Sequence, residues 1–512
     1  MDIETKISGI SICETALGCG SEVLAETDVI LSEEYPDILR VLQVDAMPVI
    51  KDREVSNDRV ILKGDIAIRI IYVPDPKISD MPAKSVTSSV SFTDVCEAAG
   101  VTGDMKIKSF AEVSNIDYSL INSRKINIKA AVSTEIKAVR HKTREFVADA
   151  KCEEGEIETL KSEVSALMSV ADEEFVISVS DKLEFPSGSP AAAEMLKVSA
   201  DVTDYDVRLL AGKAIVKGII KVGTLYVAKK NLKLEYMEHE IPFTEILELP
   251  GVAEDMDADI DFSVLNVYFE TDNEEDIREM GVEVTLSVSA AVTSAENALV
   301  LTDCFSPDFE ISFTKNYCDF DFAEAKLNPQ ISVKGDIAFG EENPAAERIL
   351  SVSAKPVLDS VSVNNENITL RGRLKADILY LTAEEEMPLS GMRGEIPFVY
   401  TADADGEGKA ADCGVTLSNL SYTMGERTVN IRASVSASIK VIGTERVSVI
   451  GDIKASEAEK NERAPIVIYF VQSGDTLWNI AKKYKTTMGK IAAANGIDTE
   501  KTLTGGEKLL IP

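Results

Sequence analysis

Histidine is almost absent from this 512-residue chain, which has only His141 and His239. That removes H-E-x-x-H metal sites and most Ser-His or Cys-His nucleophile pairs. Cysteine is sparse too: the seven (13, 19, 96, 152, 304, 318, 413) are odd in number and show no C-x-x-C spacing. They offer neither a zinc clip nor a disulfide framework, and a reducing cytoplasm is expected. Basic residues are in deficit, 53 Lys+Arg against 87 Asp+Glu for a net charge of −34. Such a surface repels phosphate backbones, so no nucleic-acid partner is expected. Long apolar runs are missing. The longest uncharged run, Cys413 to Gly425, is thirteen residues and about half polar, well short of the ~20 apolar residues of a membrane span, so no membrane insertion is expected. The start, Met1-Asp2-Ile3-Glu4-Thr5-Lys6, has neither a basic n-region nor an apolar h-region, so no export is expected. There is no phosphate loop either, since Gly406-Glu407-Gly408-Lys409 lacks a following Ser or Thr. These absences weigh against an enzyme.

What is present is a repeat. Pro36, Pro190 and Pro344 are spaced by 154 residues, as are Gly64, Gly218 and Gly372, and Tyr72, Tyr226 and Tyr380. One offset shared by three triplets marks tandem units, placed at 1–154, 155–308 and 309–450. Within them the apolar period is two. Val60, Leu62, Gly64, Ile66, Ile68, Ile70 and Tyr72 share one face, against Lys63, Asp65, Ala67 and Arg69. Unit three repeats this from Leu370 to Tyr380, and Ile126 to Val132, Val282 to Val288 and Val429 to Val435 alternate likewise. The fold class is mainly β: three tandem all-β units, each a sandwich or open barrel, before a small C-terminal β-α-α-β domain. The strand glycine reads as a bulge or a close backbone approach. Gly100, Gly251 and Gly406, each eight residues after Phe92, Phe243 and Phe398, read as turn glycines.

Acidic loops invite a metal without building a site. Asp403, Asp405, Glu407 and Gly408 overlie positions one, three, five and six of a calcium loop, but Gly414 stands where a bidentate Glu is needed. Glu254, Asp255, Asp257, Asp259 and Asp261 form a similar cluster, read as a solvated face. No metal, cofactor or catalytic residue is assigned.

The units resemble the SPOCS domain of spore-coat and SpoIVA-interacting proteins of endospore formers. The resemblance rests on Pro36-Asp37-Ile38-Leu39-Arg40-Val41-Leu42, Lys63-Gly64-Asp65, and Ile121-Asn122-Ser123-Arg124-Lys125-Ile126-Asn127-Ile128. The Asn-Ser-Arg-Lys element is intact only in unit one, with Ile277-Arg278-Glu279-Met280 and Met424-Gly425-Glu426-Arg427 in the others.

Residues 451–465 are polar, end on proline and read as a linker. Residues 466–512 differ in charge from the rest, with six lysines against four acidic residues. Ile466 to Val471 reads as a strand. A first helix has Asp475 as N-cap and Leu477, Ile480, Ala481 and Tyr484 on one face; a second starts at Thr486 or Thr487 and is C-capped by Gly496. Leu509 to Ile511 closes as a strand. This segment resembles a LysM domain through Tyr469-Phe470-Val471-Gln472-Ser473-Gly474-Asp475-Thr476-Leu477-Trp478-Asn479-Ile480-Ala481, Ile491, Asn495-Gly496-Ile497 and Leu510-Ile511-Pro512.

That resemblance implies a groove for N-acetylglucosamine polymers, with Gly474, Asp475, Thr476 and Leu477 on one wall and Ile497 and Asp498 on the other. Trp478 lies one position off the core stripe, where exposure and a contact role are expected. Lys482, Lys483 and Lys485 would steer an acidic partner. The combined resemblance implies a non-enzymatic scaffold of spore-coat assembly in the mother-cell cytoplasm, at the forespore surface, with LysM binding a coat morphogenetic ATPase of SpoIVA type. The alternatives are a peptidoglycan-binding protein of the cell wall or cortex, and an enzyme hidden in the β units.

Overall fold

The computed structural model describes residues 3–271, 276–340, 343–364, 367–384, 387–403, 410–457 and 466–512, the side chains of 13–17 and 410–412 excepted. Residues 404–409, which hold most of the calcium-like loop and Gly406, lie outside them.

Unit one consists of β1 (Ile3–Ile30), β2 (Ile38–Ser56), β3 (Arg59–Pro74), β4 (Lys84–Glu97), β5 (Lys106–Asn122) and β6 (Lys125–Cys152). They form two antiparallel sheets, β1-β6-β5 and β2-β3-β4. Ile66, Ile68 and Ile70 of β3 meet Ile126, Ile128 and Val132 of β6 in one core, so the unit is a sandwich. Unit two repeats it with β7 (Glu158–Glu184), β8 (Ala192–Leu210), β9 (Lys213–Ala228), β10 (Leu234–Glu248), β11 (Asp257–Glu270) and β12 (Glu279–Phe305). Its sheets are β11-β12-β7 and β10-β9-β8. Unit three has β13 (Phe309–Leu327), β14 (Gln330–Ala338), β15 (Ala346–Asn364), β16 (Asn367–Thr382), β17 (Leu389–Asp403), β18 (Ala410–Met424) and β19 (Thr428–Glu457). Its first strand is interrupted before β14 by Pro329, which has no N–H to donate to a ladder.

The strand glycine satisfies both readings of it. Gly64, Gly218 and Gly372 pair directly with Phe92, Phe243 and Phe398, whose rings lie where a Cβ would stand. On the other side the neighbouring strand slips register, between Ile50 and Asp52, Val202 and Asp204, and Leu358 and Ser360. Gly100 and Gly251 have φ of 90° and 89°, the left-handed conformation a turn glycine supplies.

The three units close on one another. Leu42, Leu196 and Leu350, with Ile71, Leu225 and Leu379, gather in a single cluster, and each trio keeps the 154-residue spacing. Equivalent residues meeting at one place define a pseudo-threefold axis. A second three-way core holds Phe146, Val164, Val300 and Phe320, with the Phe146 and Phe320 rings edge to face at 5.9 Å. Sheet edges are covered cyclically: β4 faces β8, β10 faces β15 and β17 faces β2, which blocks strand addition at those edges. Ion pairs cross the joints, among them Lys197–Asp45 at 2.8 Å, Arg348–Glu235 at 3.0 Å and Lys375–Glu112 at 3.0 Å.

Three further differences from the sequence reading follow from this packing. Cys19 of β1 and Cys96 of β4 face each other across the sandwich with their Cα atoms 7.3 Å apart, although 77 residues separate them and no spacing announces it. The expected linker begins as strand: β19 runs on to Glu457, pairing with β13, because Ile450 and Ile453 pack into the core at the base of the assembly. Residues 458–465 lie outside the described residues. The arginine of the Asn-Ser-Arg-Lys element also recurs where the element was read as lost. The carbonyls of Arg124, Arg278 and Arg427 accept from the N–H of Leu31, Phe185 and Phe339 respectively.

Tyr72, Tyr226 and Tyr380 are among the largest fully buried side chains. The Tyr72 hydroxyl donates to the Pro36 carbonyl at 3.2 Å, whereas that of Tyr380 has no partner among the described residues. Tyr72→Phe is therefore expected to cost about 1 kcal/mol, and Tyr380→Phe to be neutral or stabilising, in denaturant titrations of the full chain.

Candidate ligand-binding face of the C-terminal domain

The last segment folds as β20 (Val467–Phe470), α1 (Leu477–Tyr484), α2 (Met488–Asn495) and β21 (Lys508–Ile511). The strands pair antiparallel, Val467 opposite Ile511. Leu477, Ile480, Ala481, Ile491, Ala492, Leu509 and Ile511 form its core, as the helical spacing dictates.

Thr476, not Asp475, caps α1: its Oγ1 accepts from the Asn479 amide at 3.2 Å. Asp475 instead closes the preceding turn. One of its oxygens accepts from the Gln472 amide at 2.8 Å and the Tyr469 hydroxyl at 2.7 Å. The Gln472 amide and then the Tyr469 hydroxyl hold this carboxyl below its usual range, because both donors favour the charged form. Gly474 has φ of 90°. Thr487 caps α2, and Gly496, with φ of 63°, ends it.

The proposed walls differ in exposure. Gly474, Thr476 and Asp498 are exposed, Asp475 and Ile497 are half-buried, and Leu477 is buried. Leu477 and Ile497 both pack on the domain core. The Asp498 carboxylate accepts from the Glu500 amide at 3.1 Å.

Trp478 is a correction. It is 5% exposed, with its ring edge to face on Phe305 at 4.9 Å and its Nε1–H donating to Asp303 at 2.9 Å. Exposure was expected from the helical wheel of the domain alone; the β12 end covers that side. Lys482 also donates to Asp303, at 2.6 Å and 2.8 Å. Lys485 pairs with Glu310, and Lys490 with Glu156 at 3.2 Å. The lysines expected to steer an external acidic partner thus meet the acidic body of their own chain, except Lys483, which lies over Tyr469 and Tyr484. Asp303, Phe305, Glu310 and Glu156 were not singled out from sequence, since nothing local marks a strand end as a docking point.

One face of the β20–β21 pair is apolar and open. Ile466, Ile468 and Phe470 are 61%, 53% and 61% exposed, and Leu510, opposite Ile468, lies on the same face.

Elsewhere, no cluster of three or more His, Cys, Asp or Glu suited to a metal occurs among the described residues. Asp257 pairs with Lys326 and Asp259 with Lys440, so this part of the acidic cluster has structural partners. Burial pushes the Cys304 thiol up to about 11, which suppresses its thiolate. No helix among the described residues is long and apolar enough to cross a membrane.

Comparison with protein families matches the SipL SPOCS domain at residues 37–121, 192–272 and 345–425, and the LysM domain at 469–512. The SPOCS matches cover β2–β5, β8–β11 and β15–β18, leaving the long first and last strands of each unit outside. Neither the curated proteins nor the solved structures give a match. SPOCS and LysM are non-catalytic binding domains, and the SipL family is a sporulation family. The chain thus carries three SipL SPOCS domains and a C-terminal LysM domain, and belongs with the SipL-like SPOCS and LysM proteins.

Proposed function

We propose that this protein is a non-enzymatic adaptor of spore-envelope assembly, acting in the mother cell at the forespore surface. The pseudo-threefold SPOCS body is its rigid platform, and the LysM domain binds a coat morphogenetic ATPase of SpoIVA type. The observation that carries the protein-binding reading is the uncovered apolar face of Ile468, Phe470 and Leu510, since exposed apolar patches of this kind mark interaction surfaces. It replaces Trp478, which its own chain occupies. A second reading is favoured by the groove: Gly474, Thr476 and Asp498 are exposed, so an N-acetylglucosamine polymer has access.

The two readings separate by surface. With the purified coat ATPase and insoluble chitin as parallel baits for the full chain, Phe470→Asp is expected to weaken ATPase binding by about 2 kcal/mol and leave chitin retention unchanged. Chitin retention without any ATPase binding by the unmutated chain would overturn the first reading.

A further inference from the structure

The three units end alike. Asp149 and Asp303 face Lys6 and Leu160 across their ladders, 154 residues apart in both strands. Asp452 holds the same place in unit three, where its amide donates to Thr314 at 3.1 Å. The residue two positions on differs: Lys151, Phe305 and Lys454. Only unit two offers a carboxylate followed by a ring.

The LysM domain uses both. Asp303, with its side chain 16% exposed, takes the Trp478 N–H and the Lys482 ammonium together, while Phe305 packs on the indole. Lys482 also lies 5.5 Å from the centre of the Phe313 ring. In unit one the corresponding aspartate, Asp149, is neutralised from within the body by Lys161 at 2.9 Å. The equivalent of that lysine one repeat later, Lys315, lies over Phe313, and LysM supplies the cation on Asp303. At the other two ends, Lys151 or Lys454 would set a like charge against Lys482 and give the indole no ring.

We propose that the Asp303-Cys304-Phe305 strand end is a dedicated docking site for the Trp478–Lys482 face of the LysM domain. It selects one of three pseudo-equivalent positions and fixes the domain's orientation, so that the groove loops and the Ile468–Phe470 face point away from the body. With Asp303 largely withdrawn from water, the central pair is screened less than Lys485–Glu310 and Lys490–Glu156 at the exposed rim, which add mainly direction.

Trp478 is the only tryptophan, so intrinsic fluorescence of the full chain reads the dock directly. Asp303→Lys is expected to red-shift the emission and raise acrylamide quenching severalfold. Adding Lys482→Glu should return most of the protection, which an unfolded domain would not do. Phe305→Lys, which copies units one and three, should undock the domain as well. The proposal is overturned if Asp303→Lys leaves quenching at the wild-type level, or if the charge-swapped double variant is quenched as fully as Asp303→Lys alone.

Discussion

Gly64→Ala is expected to destabilise the first unit by about 3 kcal/mol, the upper part of the range for overpacked cores. The added methyl would stand 2.3 Å from the Val49 carbonyl oxygen and 2.6 Å from the Phe92 ring. The ring is wedged in the sandwich core, and the carbonyl belongs to the paired strand, so neither yields without breaking a ladder. Gly218→Ala and Gly372→Ala meet the same pair of obstacles, at 2.9 Å and 2.6 Å from the carbonyls of Asp204 and Val357. Gly103→Ala is the control: nothing lies within 4 Å of its position, and a change within about 0.5 kcal/mol is expected. Chemical denaturation of the four variants tests this, and equal midpoints for Gly64→Ala and Gly103→Ala would sink the close-approach account.

Trp478→Ala is expected to remove about 3–5 kcal/mol from the C-terminal domain and its docking together, the usual cost of deleting a large buried aromatic. A domain of this size has a small core and little stability to spare. The variant should therefore lose structure, seen as collapse of the amide dispersion of residues 466–512 in spectra of the full chain. Lost ligand binding in Trp478→Ala then reports folding, which is why Phe470→Asp and Asp303→Lys are the informative changes. A well-dispersed Trp478→Ala domain would place the indole at the edge of the core, against the packing described above.

Much of the architecture was legible because it depends on local periodicity. Val60 to Tyr72 alternate in sequence and lie buried on one face, since a pleated strand sends successive side chains to opposite sides whatever surrounds it. The cap at Gly496 was legible for the same reason: a left-handed residue is a local demand. The N-cap was placed one residue early because Asp475 and Thr476 both suit that position, and the Tyr469 hydroxyl, which holds Asp475 in the turn, comes from the strand before.

The sequence by itself determined the three β units, their common register of apolar positions and the β-α-α-β module that follows. Ile71, Leu225 and Leu379 are not singled out by that alternation; only the tertiary structure shows them meeting at the pseudo-threefold axis. Trp478 was read as exposed for a related reason. A helical wheel knows its own domain's core, while burial by Phe305, 173 positions earlier in the chain, depends on where a distant strand ends. Patterns of period two or 3.6 record forces between neighbours, and a surface covered by another domain leaves no such period to read.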